Sequence, residues 1–204
     1  VMTSGKVRLT DTGTVAATVL SGIGAVTEGT VTVNGAMTIT GSTEEIKNAL
    51  VTESSKVIAT TSANVTFVGD NPTGAELADI NTAAGGTITL ANDAQTFTGT
   101  AAVMKEAFTG GLANTQTGAV KISDTEGTIA ATVLTDITSQ TDGTVTAAAA
   151  GITITGTTTD VKAAIVTEAT KAVMTSGKVR LTDTGTVAAT VLSGIGAVTE
   201  GTVT

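Results

Sequence analysis

One duplication restricts the fold more than any other feature of the sequence. VMTSGKVRLTDTGTVAATVLSGIGAVTEGTVT fills Val1–Thr32 and returns unchanged as Val173–Thr204, a shift of 172 positions. A shared fold demands only a similar apolar pattern and similar turns. Identity at all 32 positions therefore reads as a tandem array with a 172-residue unit, of which this chain holds one period and the opening of the next.

A finer repeat lies inside the period. Strands ending in Asp open successive modules at Val7–Asp11, Val65–Asp70, Val120–Asp124 and Val179–Asp183. Their starts are 58, 55 and 59 residues apart, which gives a unit near 57 and module boundaries at 1–63, 64–118, 119–177 and 178–204. Alternation places Val7/Leu9, Val65/Phe67 and Val120/Ile122 toward a core, with Arg8, Thr66 and Lys121 toward water. A Thr/Gly turn then leads into a short helix. Thr14 is the expected cap for Val15, Val19, Leu20 and Ile23, and Thr128 for Ile129, Val133, Leu134 and Ile137. The second module offers Thr73, Leu77 and Ile80.

Next come two apolar-alternating segments that read as a β-hairpin. Pairing Val31 with Ile39 across Asn34-Gly35-Ala36 puts Val33 opposite Met37 and sets threonines together on the other face. Ile88 with Phe97, and Val145 with Ile154, repeat the pattern. Each hairpin ends in Thr-Gly and is followed by a second helix. Ser42-Thr-Glu-Glu45 has capping-box spacing, and Thr157-Thr-Thr-Asp160 is its acidic analogue. The buried faces of these helices are expected at Ile46/Ala49/Leu50, Val103/Ala107/Phe108 and Val161/Ala164/Ile165. Lys56-Val-Ile-Ala-Thr and Lys171-Ala-Val-Met-Thr then supply an extended link, replaced in the second module by Gly110-Gly111-Leu112.

The fold class that follows is an α/β (α+β) tandem repeat, an elongated stack of strand-helix-hairpin-helix modules, with a mainly-β solenoid as the alternative. A single module of this size is a marginal folder. Each buried Val, Ile or Leu contributes roughly 1.5–3 kcal/mol, so stacking that covers the flanks is strongly favoured.

Composition narrows the functions. The chain has no His, Cys, Trp or Tyr, and 18 acidic against 10 basic residues leave a net charge of −8. Sparse bases and three Phe provide neither phosphate contacts nor stacking platforms for nucleic acid. No apolar run reaches the ~20 residues of a membrane span, so membrane insertion is not expected. Without His or Cys a catalyst would depend on carboxylates, Lys or Ser/Thr. Asp79/Asp93 and Glu44/Glu45 read as solvated helix or turn residues, and Ser4-Gly5-Lys6 and Thr109-Gly110-Gly111 lack the ending of a phosphate loop. The expected role is non-catalytic, with no organic cofactor.

Two constellations remain. Asp11, Asp70, Asp124 and Asp183 are candidate calcium ligands at the module joints, because calcium takes several oxygens and a turn adds carbonyls. The competing reading gives each Asp to backbone N–H groups at a helix N-terminus or turn. The Thr-x-Thr pairs, from Thr30/Thr32 to Thr202/Thr204, are either solvated strand faces or an ice-binding array.

LTDTGTVAATVLSGIGAVTEGTVT, ISDTEGTIAATVLTDITSQTDGTVT, TITGSTEEIKNAL and TITGTTTDVKAAI resemble repeats in very large secreted proteins of marine cyanobacteria and other Gram-negative bacteria. These include giant swimming-related surface proteins and adhesin-like proteins. The resemblance implies an extracellular, cell-surface role in a filament, surface layer or stalk, or as the extender of an adhesin. The partners it implies are adjacent repeats or further copies of the same protein.

Overall fold

The computed structural model describes residues 5–10, 12–33, 37–52, 57–59, 63–167 and 172–204. The chain divides into two compact units, Val1–Asp93 with Glu106–Asn114, and Ala94–Lys105 with Thr115–Thr204. Seven helices among the described residues, together with parallel sheets, make it mixed α/β and not mainly β.

The first unit runs β1 (Val7–Leu9), β2 (Thr14–Ala16), α1 (Ala17–Val26), β3 (Val31–Val33), β4 (Thr38–Gly41), α2 (Thr43–Leu50), β5 (Val57–Ala59), β6 (Ala63–Phe67), α3 (Gly74–Ala84) and β7 (Gly85–Thr89). Its sheets have the orders β1-β3-β5 and β2-β4-β6-β7, and every strand pair in them is parallel. In the second unit β8 (Phe97–Gly99) leads into α4 (Ala101–Phe108), whose residues from Glu106 on are assigned to the first unit, followed by β9 (Val120–Ile122), β10 (Glu126–Ala130), α5 (Ala131–Thr138), β11 (Val145–Thr146), β12 (Gly151–Gly156), α6 (Thr158–Ile165), β13 (Ala172–Val173), β14 (Lys178–Leu181) and α7 (Ala189–Gly196). Its sheets, β13-β11-β9-β8 and β10-β12-β14, are parallel throughout as well.

Parallel pairing corrects the hairpins. Val31 pairs with Val7 and Val57, while Ile39 pairs with Val15 and Val65 in a different sheet. Likewise Ile88 takes Val65 and Phe97 takes Val120, and Val145 and Ile154 lie in separate sheets. The Asn34-Gly35-Ala36 turn lies outside the described residues. Alternation dictates which side chains face inward but says nothing of the partner strand, so a parallel neighbour satisfies the same pattern. Parallel strands require long crossovers, and the short helices furnish them. Paired residues are separated by between 22 and 27 positions in both units.

The apolar rows follow from this register. Ile39, Val65 and Ile88 form one fully buried row, and Phe97, Val120 and Val145 another. The helices seal the core with Leu20, Ile46, Ala49, Leu77 and Ile80 in the first unit, and with Leu134, Ile137, Val161 and Ala164 in the second. The expected faces of α2 and α6 are buried as read; in α4, Ala107 and Phe108 are buried with Met104, while Val103 is half-buried.

The capping box of α2 forms between Ser42 and Glu45, and Thr73 makes another with Glu76 at α3. Thr14 and Thr128, however, are not caps. They lie in β2 and β10, and α1 and α5 begin after Ala16 and Ala130 without a side-chain cap. Val15 and Ile129 explain the displacement, since each joins a sheet opposite Ile39 or Ile154.

Successive passes of the backbone touch at glycine. A Cβ on Gly143 would overlap the Gly118 carbonyl, one on Gly118 the Gln95 carbonyl, and one on Gly201 the Gly177 carbonyl. Gly143→Ala is expected to cost about 1–3 kcal/mol through overpacking against backbone. Gly185→Ala, with nothing within 4 Å of the new methyl group, should stay within about 0.5 kcal/mol. Urea midpoints of the two variants check the contrast.

Candidate functional site

The recurrent chemistry of this molecule lies at the joints between successive passes. Thr27-Glu28-Gly29, Thr141-Asp142-Gly143 and Thr199-Glu200-Gly201 share one arrangement. The threonine hydroxyl donates to a carbonyl of the preceding pass: Thr27 to Gly5 at 2.9 Å, Thr141 to Gln116 at 2.8 Å, and Thr199 to Gly177. It also accepts from the glycine N–H two residues on, at 3.3, 2.9 and 3.0 Å respectively. All three threonines are buried. Gln116 occupies the corresponding place one pass before Thr141 and reaches the Gln95 carbonyl with its amide. A buried hydroxyl that both donates and accepts meets the requirement that polar groups out of water be paired. Sequence reasoning missed these residues. The signal was the Thr-acid-Gly tripeptide, which recurs at the module spacing: Thr27, Thr141 and Thr199 lie two modules and then one module apart.

Of the four aspartates singled out as calcium candidates, Asp11 lies outside the described residues. Asp70 is exposed in the bend after β6. Asp124 Oδ2 accepts from the Ala101 N–H at 2.6 Å, the first residue of α4. Asp183 Oδ2 accepts from the N–H of Thr158, the first residue of α6, at 2.7 Å and from its hydroxyl at 2.5 Å. Both carboxylates therefore serve the positive end of a helix that precedes them in the chain. The Thr158 hydroxyl, and then its backbone N–H, hold the Asp183 carboxyl below the usual aspartate range. Among the described residues, no three acidic side chains gather where they could hold one ion.

The remaining charged groups also serve packing. Lys47 Nζ meets Glu76 Oε1 at 3.1 Å between α2 and α3, and Lys105 Nζ meets Asp136 Oδ2 at 2.8 Å between α4 and α5. Glu76 is held below the usual carboxylate range first by the Thr73 N–H and then by Lys47. Glu45 is committed to its capping box, and Glu44 lies beside it in the same turn. Asp79 is exposed on α3, and Asp93 accepts from the Asn114 amide at 3.2 Å. Gly5, from the sequence once compared with a phosphate loop, gives its carbonyl to Thr27. A cleft of about 450 Å³ in the second unit is lined by Ile165, Ala172, Met174 and Val198, with Glu200 as its one carboxylate.

The Thr-x-Thr segments come together where the register stacks them. Thr38 stands between Thr14 and Asn64, and Thr66 between Thr40 and Thr89. In the second unit Thr128 and Thr153 continue into Lys178, and Thr155 into Arg180.

Compared with family models, curated proteins and solved structures, the chain finds no match. Among the described residues no helix is long and apolar enough to cross a membrane.

Two outcomes follow from the joints. Thr141→Val keeps the shape but leaves the Gln116 carbonyl and the Gly143 N–H without this partner, which should cost about 1–3 kcal/mol in urea unfolding. Asp183→Asn should lower the urea midpoint at neutral pH. A carboxyl with a depressed folded pKa stabilises above the unfolded value and loses that contribution as pH falls through the folded one. The difference between wild type and Asp183→Asn should therefore close as pH drops below the usual aspartate range.

Proposed function

We propose that this chain is a non-catalytic structural segment of an extracellular filament, surface layer or stalk, built as a continuing stack of coils of about 25 residues. The observation that carries the reading is the strand offset. Partners lie 22 to 27 positions apart in each unit, and the 172-position duplication is about seven such offsets. A chain that returns to the same point after a whole number of coils can repeat without limit. The Thr-x-Gly joint occurs once in the first unit and twice in the second, which supports the same view. Cell-surface placement rests on the resemblance to giant secreted bacterial repeats, and the extender of an adhesin is the variant of this role in which the stack displays a separate binding domain.

A second reading has one specific observation behind it. Parallel register brings Thr14 beside Thr38, and sets Thr66 between Thr40 and Thr89. Adjacent strands stand about 4.8 Å apart, so these side chains form a short regular array of the kind that orders water. Asn64, Lys178 and Arg180 interrupt the rows, which ranks ice binding below the structural role.

Chains carrying one, two and three 172-residue periods separate these readings from a globule. Small-angle scattering should show the maximum dimension growing in proportion to period number. A radius of gyration that follows the compact scaling of roughly the 0.38 power of length would defeat the stack. Thermal hysteresis in the same samples would promote the ice-binding reading, and its absence would remove it.

A further inference from the structure

The bases that interrupt the threonine rows share one setting. The cations in the described strands are Arg8, Lys121, Lys178 and Arg180, and each has threonine beside it in an adjoining strand. Thr32 stands by Arg8, Thr98 and Thr146 by Lys121, Thr153 by Lys178 and Thr155 by Arg180. Among the described residues none of the four meets a carboxylate within 4.0 Å, whereas the helix lysines Lys47 and Lys105 are both paired. The chain has 18 acidic residues with which to pair its 10 bases, yet these strand cations face water among hydroxyls.

The densest such place is on β14. Lys178 and Arg180 are exposed on either side of buried Val179, so their side chains rise from one sheet face about 6.6 Å apart along the strand. Thr153 and Thr155 flank them on β12, and the Val179–Val203 bridge brings Thr202 and Thr204 up on the other side. Two cations thus stand among four hydroxyls. The same sequence at β1 shows what a following strand does to this face. There Thr32 lies between Arg8 and Ile58, and Arg8 is still exposed. A further strand therefore lengthens the face and does not cover it. Glu126, the one acidic residue in a described strand, lies beside Gly151 at the far edge of the β14 sheet.

We propose that this face, centred on Lys178 and Arg180, binds an acidic polysaccharide. The cations meet the carboxylate or sulfate groups of the glycan, and the flanking threonines exchange hydrogen bonds with its hydroxyls. A polyanion without hydroxyls would use the two charges and leave the threonines idle. A neutral glycan would leave the charges idle, and the chain has no Trp or Tyr to stack on a sugar ring. The net charge of −8 acts weakly against this, because salt screens charges beyond about 10 Å at 0.1 M. Each site is small, and its recurrence with the 172-position duplication, as Lys6 and Arg8, lets one polymer engage several at once. The proposal adds a partner to the structural role and rests on that reading only for its extracellular setting.

The molecule supplies its own control. In β6, Asn64-Val65-Thr66 takes the place of Lys178-Val179-Arg180 and is flanked by Thr38 and Thr40 as β14 is by Thr153 and Thr155. Lys178→Asn with Arg180→Thr therefore writes an arrangement the fold already contains, and Lys6→Asn with Arg8→Thr does the same in the other copy. The full chain carrying all four changes should keep the wild-type circular dichroism. Binding is measured at low ionic strength to immobilised polygalacturonate, dextran sulfate, neutral dextran, polyglutamate and duplex DNA. Wild type should bind polygalacturonate or dextran sulfate, the preferred one reporting carboxylate or sulfate, and added salt should release it. Neutral dextran should not bind, and polyglutamate and DNA should bind at least about tenfold more weakly. The four-position variant should lose about tenfold or more on the polysaccharide, the sum of several exposed charge contacts. No binding to either acidic polysaccharide, a variant that binds like wild type, or equal binding of polyglutamate or DNA would each overturn the proposal. The length series measures the stack without reference to any glycan, so the two readings fall separately.

Discussion

Each strand of this protein is completed by another that lies about 25 residues away, and the rest of the structure depends on that distance being kept. Parallel strands cannot close on themselves through a tight turn, so every pass needs a crossover long enough to bring the chain back. The short helices supply that length and bury Leu20, Ile46, Leu77, Leu134 and Val161 while doing so. Where the passes touch most closely, at Gly118, Gly143 and Gly201, a side chain would overlap the neighbouring carbonyl. The Thr141 and Thr199 hydroxyls, and the Gln116 amide before Gly118, then tie the two backbones together. Local geometry and long-range pairing are thus one requirement seen at two scales.

Much of the local structure was legible from spacing alone. Inward and outward residues in β6 and β9 follow the alternation of Val65/Phe67 and Val120/Ile122, and the Ser42-to-Glu45 capping box is formed as its spacing demands. The strand partner was not legible. A period of two marks a face and carries no direction, so Val31 and Ile39 satisfied an antiparallel hairpin on paper as well as they satisfy two parallel sheets. Thr14 and Thr128 misled for a related reason. A threonine before an apolar run resembles a cap, yet Val15 and Ile129 belong to edge strands, and a β-branched residue paired into a sheet outweighs an uncapped helix start.

The aspartates illustrate how a recurring residue can have a recurring reason without a ligand. Asp124 and Asp183 each lie two residues past the end of a strand and each reach a helix N-terminus in the preceding pass. The expectation that such an Asp serves backbone N–H groups therefore holds at these two positions, although the helix served is the earlier one and not the next. The threonine rows gained coherence in the other direction: segments that looked scattered along the chain stand side by side once parallel register is known.

That backward reach bears on how the chain matures as it leaves the ribosome. The first backbone N–H groups of α4 and α6 wait for a carboxylate made 23 and 25 residues later, whereas Thr100 and Thr157 hold a later N–H of the same first turn as soon as the helix forms. At these two helices synthesis runs about one strand offset ahead of consolidation. At α4 and α6 the lag between making a helix and completing its first turn is therefore set by the spacing of these carboxylates and not by the size of the whole protein.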